Sequence, residues 1–160
     1  MPAIQKITTF LWFDNNAEEA IHFYLSVFEN SRLVSIIRHG DAGPGPKGTV
    51  LGATFQLEGQ QFFALNGGRK FKFTEAISLF VRCETQEEID TLWETLSAGG
   101  GKDRCGWLKD KFGLSWQIVP VVLFEMLQDP DSAKADRVMR AMMQMDKLDI
   151  QRLQQAYNQP

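Results

Sequence analysis

A chain of 160 residues with 44% hydrophobic and 23% charged side chains holds enough apolar material for one packed domain, which argues against disorder. Its formal net charge of -3, with lysines and arginines scattered, gives no electrostatic footprint for nucleic acid or an anionic membrane surface. The longest apolar run, residues 118–124, contains Pro120 and falls far short of the ~20 residues of a spanning helix.

The start, Met1, Pro2 and Ala3, lacks the basic stretch and apolar core of a signal peptide. Cys83 and Cys105 are too few and too loosely spaced for a disulfide framework or a zinc knuckle. They read as free thiols in a reducing compartment, so the expected location is the cytoplasm.

Residues 7–13 are rich in β-branched and aromatic side chains and predict a first strand. Asn16 with Glu19 has the form of a capping box. Ala17, Ala20, Ile21, Tyr24 and Val27 then recur at helical spacing. A second strand is expected at 32–38. Residues 39–48 carry four glycines and two prolines and predict a mobile surface loop. Strands resume at 50–57 and 60–66, and Glu58-Gly59 between them suits a two-residue hairpin turn.

The order then repeats. Residues 77–81 predict a strand, and Thr85 with Glu88 a second capping box. Ile89, Leu92, Trp93 and Leu96 form a helical face closed by Gly99, Gly100 and Gly101. Placing Asn16 over Thr85 puts Tyr24 over Trp93 and Val27 over Leu96, the mark of a duplicated half-domain. Short strands are expected near 102–104 and 105–109. A turn at 110–113 then leads into a strand at 115–119, with Gly113 where a hairpin wants a left-handed residue. Beyond Pro120 the pattern is helical. Pro130 is placed as a first helical residue with Ala135, Val138, Met139 and Met142 along one face, and a last helix is expected from Asp149. The fold class is α+β: two β-α-β-β-β modules, about 4–68 and 75–120, within one domain, and a helical tail, 121–160, belonging to neither.

Four stretches carry a family resemblance: 10–13 with 18–24, 65–68, 105–120 and 142–153. With them the chain resembles the PhnB-like branch, labelled 3-demethylubiquinone-9 3-methyltransferase, of the glyoxalase, bleomycin-resistance and dioxygenase (vicinal oxygen chelate) superfamily. The resemblance implies half-barrels paired around a cleft and a homodimer that often exchanges halves. A Met-rich tail would suit a partner surface, and a tail packed on its own domain is the plainer alternative.

The superfamily's catalytic members hold a divalent metal on the first and last strands of each module, where it acts as a Lewis acid. The equivalent positions here are Thr8 or Thr9, Asn66, Ala76 and Gln117, with Glu75 one residue off register and assigned to the opposite face. Hydroxyls and neutral amides hold such ions weakly, so a divalent metal is possible but not favoured. His22 reads as a helix-surface residue and His39 as a loop residue. Ser78, Ser115 and the two cysteines lack an evident activating base.

What the pattern leaves is a cleft. Thr8, Phe10 and Trp12 alternate onto one face of the first strand, and Ala76, Ser78 and Phe80 onto one face of the fifth. Asn66 and Gln117 would add hydrogen bonds to a flat or amphipathic ligand. The competing account is that these aromatics fill the half-barrel interior. The expected function is binding of a small molecule without a typical catalytic metal. The alternatives are a metal-dependent lyase, isomerase or dioxygenase with an atypical ligand set, and a methyltransferase as the family label suggests. Against the last, no glycine-rich turn joins a parallel strand to the start of a helix.

Overall fold

The computed structural model describes residues 4–159; Met1, Pro2, Ala3 and Pro160 lie outside them, and with them the tripeptide read for a signal sequence. The chain divides into two compact units, Met1–Lys72 and Phe73–Pro160.

The first unit runs Thr9–Phe13 (β1), Ala17–Val27 (α1), Ser31–Arg38 (β2), Val50–Leu57 (β3) and Gln60–Asn66 (β4). Its sheet order is β1-β4-β3-β2, with β1 parallel to β4 and the other pairs antiparallel. Alternation sends Leu11, Phe13, Ala53, Phe55, Leu57, Phe62 and Ala64 to one face, where they are buried together with Ala17, Ala20, Ile21 and Tyr24 of α1. Stacked rings of Tyr24, Phe55 and Phe62 form the centre of this core. Glu58 and Gly59 both have positive φ, 49° and 79°, which is the backbone of a type I′ hairpin turn.

The capping box expected at Asn16 does not form. Asn16 precedes α1, but its side chain makes no cap hydrogen bond. The free N–H of Ala17 donates instead to Oδ1 of Asn66, at the end of β4, at 2.9 Å. A residue fifty positions away does the work assigned to the local one, which no local pattern could reveal. The loop of residues 39–48 is closed by hydrogen bonds from His39 N–H to Thr49 and from Gly48 N–H to His39, each 2.8 Å.

The second unit runs Ser78–Cys83 (β5), Gln86–Ser97 (α2), Gly101–Lys102 (β6), Trp107–Lys109 (β7) and Ser115–Pro120 (β8), then Val121–Leu127 (α3), Ser132–Met142 (α4) and Ile150–Asn158 (α5). The sheet order β5-β8-β7-β6 repeats that of the first unit, again with the outer strand parallel to its neighbour. Thr85 Oγ1 accepts the N–H of Glu88 at 3.1 Å, and the Glu88 carboxylate reaches back to the N–H of Glu84 at 3.0 Å. The second capping box is therefore present, with its return bond one residue further out. The turn after β7 is organised by Asp110, which is 2% exposed. Its Oδ1 accepts from the N–H groups of Phe112 and Leu114 and its Oδ2 from the indole of Trp116.

The tail does not stand apart from the modules. Val119 of β8 shares one core with Leu123, Met126, Val138, Met145, Leu148 and Leu153. Backbone bonds from Cys105 to Met145 and from Gly106 to Asp146 lock the tail onto module two, as does the Gln86 amide, which donates to the Leu148 carbonyl and accepts from Ile150 N–H. The helix expected from Pro130 begins instead at Ser132, because the Asp131 side chain caps it by accepting from Ala133 N–H at 3.0 Å. Asp149 caps α5 in the same way through Arg152 N–H. The strand expected over 102–104 lies at Gly101–Lys102.

Candidate functional site

In the first unit the face turned away from α1 carries Phe10, Trp12, Phe63 and Leu65, with Phe10 beside Phe63 and Trp12 beside Leu65 in register. Phe10 is 57% exposed, its ring centroid 6.1 Å from that of Phe63. Trp12 is tied down. Its Nε1–H donates to the carbonyl of Gly68 at 2.9 Å, and Phe71 meets its ring edge-on at 4.9 Å. A Cβ on Gly67 would lie 2.2 Å from the indole, so glycine is what admits the ring there. Both ends of the Asn66 amide are used by the fold: Oδ1 accepts from Ala17, and Nδ2 donates to the Val50 carbonyl at 3.1 Å. Thr8 lies just before β1, its hydroxyl 3.4 Å from the Gln5 amide.

The stretch 65–68 therefore interlocks with the first strand and helix. Asn66 starts α1 and ties down β3, Gly67 makes room for Trp12, and the Gly68 carbonyl accepts its indole hydrogen bond. Those glycines follow β4 and do not open a helix, so they form no cofactor turn of the kind a nucleotide-binding fold uses.

In the second unit Ser78, Phe80, Ser115 and Gln117 share the face of the sheet opposite Leu79, Trp116 and Ile118, with Ser78 paired to Ser115 and Phe80 to Gln117. Gln117 Nε2 donates to Ser78 Oγ at 2.9 Å. Phe80 is 39% exposed and packs on Phe124 of α3 at 5.5 Å. Ser115, only 1% exposed, has a hydroxyl with no hydrogen-bond partner among the described residues. Such a group is costly to bury unsatisfied.

Ser115 belongs to the wall of a pocket of about 160 Å³, together with Glu75, Gly101, Lys102, Asp103, Trp107, Leu108 and Lys109. Lys109 stands directly opposite Ser115 across the β7–β8 ladder, so the two side chains leave the sheet on the same side. The Lys109 ammonium is ion-paired with Glu75. That hydrogen bond, aided by the lysine's charge, holds the Glu75 carboxyl below the usual carboxylate range. Strand alternation had assigned Glu75 to the opposite face. The strand starts only at Ser78, however, so Glu75 and Ala76 precede it and alternation does not apply to them. Glu75, Trp107, Lys109 and the wall role of Ser115 were not legible in the sequence, because the pairing that gathers them joins distant segments.

Among the described residues no three His, Cys, Asp or Glu side chains converge. Asn66 and the Gln117 amide nitrogen are already engaged, and Thr8 and Ala76 offer a hydroxyl and a methyl group. The donor set does not fit such an ion. His22 lies on the outer surface of α1, 4.0 Å from Glu18. Cys83 is buried with its thiol pushed up to about 12, first by desolvation and then by the nearby Glu88 charge, which leaves it no thiolate for chemistry.

Each unit pairs a four-stranded sheet with one helix in the order β-α-β-β-β, and the second adds three C-terminal helices. The family model described as 3-demethylubiquinone-9 3-methyltransferase matches residues 5–119, and the chain belongs to that family. A PhnB protein from Bacillus cereus, titled with the same methyltransferase name, is 46% identical; the match covers 73% of this chain and all of that one, at a TM-score of 0.67. Protein PA1353 from Pseudomonas aeruginosa is 20% identical over 74% of this chain and 98% of its own, with a TM-score of 0.60. The fosfomycin resistance protein FosX from Listeria monocytogenes shares the fold at 16% identity, over 77% of this chain and 98% of its own, with a TM-score of 0.51. Among curated proteins none matches. The family match ends before α3, so the stretch 142–153, read as part of the resemblance, lies beyond it. No helix among the described residues is long and apolar enough to cross a membrane.

Proposed function

We propose that this protein binds a small molecule without a resident catalytic metal, and that the pocket on the open face of module two is where the molecule sits. The observation that carries this reading is Ser115: a buried hydroxyl without a partner, in the wall of a pocket that also holds an aromatic ring and a charged pair. Polar groups convergent on a partly apolar pocket are the usual form of a small-molecule site. Ser78, Phe80 and Gln117 continue the same face of the sheet and extend the surface available to a ligand. Phe10 with Phe63 is the corresponding open surface of module one, with Thr8 just ahead of its first strand, whereas Trp12 and Asn66 serve mainly to hold that module together. A cytoplasmic homodimer completes the proposal. Phe10 and Ile37, on the two outer strands β1 and β2, are 57% and 58% exposed, and exposed apolar side chains of this kind are what a second chain would cover.

The test is a thermal-shift screen of small organic molecules, including S-adenosylmethionine, run with and without added divalent cations, since a ligand of the native state raises Tm by mass action. Metal-independent shifts that vanish in Trp107→Ala are expected. A shift that requires the cation would favour the metal-dependent lyase, isomerase or dioxygenase, and one with S-adenosylmethionine would favour a methyltransferase. Either result would overturn the reading. Light scattering should give twice the chain mass of 18.2 kDa.

A further inference from the structure

We infer that the module-two pocket selects a compact carboxylic acid, and that Glu75 occupies the place of that acid's carboxylate when the pocket is empty. The inference rests on the proposed binding reading and names the ligand class. Lys109 and Ser115 are fixed by the β7–β8 ladder, side by side on one face. Glu75 comes from the segment ahead of β5 and is 57% exposed at its side chain, with Lys109 at 48%. An ion pair between such half-exposed groups is worth little and is readily exchanged. A ligand carboxylate taking over Lys109 would keep the charge-assisted bond and could also accept the proton of the Ser115 hydroxyl, which has no other partner among the described residues.

The remaining wall agrees with this choice. Lys102 pairs with Leu108 across the β6–β7 ladder, so its side chain leaves the sheet on the face opposite Lys109 and bonds to Glu94 of α2, and Lys109 is the cation beside Ser115. Asp103 also lines the pocket, with its Oδ1 accepting from Arg104 N–H at 2.8 Å, and it sets a limit of one negative charge on what enters. The half-buried Trp107 ring offers an apolar face. A cavity of ~150 Å³ holds a benzene-sized molecule, so a ligand's apolar part here is no larger than a single ring.

Benzoate, benzamide and benzylamine are suitable probes, titrated against the full chain while the Trp107 indole N–H is followed by NMR. Benzoate should bind about tenfold or more tightly than benzamide, and Lys109→Met should remove that preference. Glu75→Gln should raise benzoate affinity severalfold by freeing Lys109. Ser115→Ala should weaken benzoate while leaving Tm unchanged or higher, because it deletes an unpartnered hydroxyl; a purely structural serine would lose Tm and keep its affinity. Equal binding of benzoate and benzamide, or tighter binding of benzylamine, would overturn the carboxylate assignment and leave the pocket itself standing. Benzoate affinity unmoved by both Glu75→Gln and Lys109→Met would place binding elsewhere. Absence of any Trp107 response to all three probes would sink the assignment too, even where the thermal screen finds other ligands.

Discussion

Trp12 donates its indole N–H to the carbonyl of Gly68 at 2.9 Å, and the neighbouring Gly67 is the residue whose missing side chain leaves room for the ring. A tryptophan on the open face of a sheet is thereby made part of the frame of module one. Gly67→Ala is expected to cost about 1–3 kcal/mol through overpacking, since the added carbon would meet the indole at 2.2 Å. Trp12→Ala should cost about 2 kcal/mol, less than a fully buried tryptophan. Urea denaturation reads both. A Trp12→Ala chain of unchanged stability that loses ligand affinity would return Trp12 to the binding surface.

Asn66 and Asn16 make a paired test of how α1 begins. Asn66→Ala removes the acceptor for the Ala17 N–H and the donor to the Val50 carbonyl, and is expected to destabilise by about 1–2 kcal/mol. Asn16→Ala should change stability by less than about 0.5 kcal/mol, because that side chain makes no cap bond. The reverse order of effects would restore the local capping box and contradict the tertiary cap.

These two asparagines also show what a sequence carries and what it does not. Both modules, their strand order along the chain and the Glu58-Gly59 hairpin were legible because side-chain periodicity and turn chemistry are local signals. Thr85 with Glu88 was legible for the same reason. Asn16 looked identical and failed, because Asn66 supplies the bond from another strand. The candidate site followed the same rule. Ser78 and Gln117 could be placed on one face by alternation, but Glu75 precedes its strand, and Lys109 meets Ser115 only through the β7–β8 ladder. The tail's attachment depends on Val119 sharing a core with residues up to Leu153, again a relationship that periodicity cannot express.

The two thiols should behave differently. Cys83 is fully buried and its pKa is raised to about 12, while Cys105 is half-buried with its Sγ 3.6 Å from the Met142 carbonyl. Ellman's reagent at pH 8 should titrate Cys105 in the native protein and reach Cys83 only in denaturant. The folded state favours the protonated form of Cys83. Its contribution is therefore complete below the ordinary thiol value of about 9 and is lost as pH rises from there towards 12. Cys83→Ala should flatten that alkaline loss of stability; an unchanged profile would assign the loss to other groups.

Asp110 gives the last and largest expected effect. One buried carboxylate accepts from two backbone N–H groups and the Trp116 indole, and so holds the β7–β8 turn and orients the strand that carries Ser115. Asp110→Ala would strand three donors at a site that water does not reach, with an expected cost of about 3–5 kcal/mol. Asp110→Asn is the sharper variant. Its carbonyl can replace only one of the two oxygens, and its NH2 group would then face another donor, either the Trp116 indole or the two backbone N–H groups. It should lose about 2 kcal/mol, and Trp116→Phe should recover part of that loss by removing the opposed indole N–H. Additive losses in the double variant would show that Asp110 acts through the backbone of the turn alone.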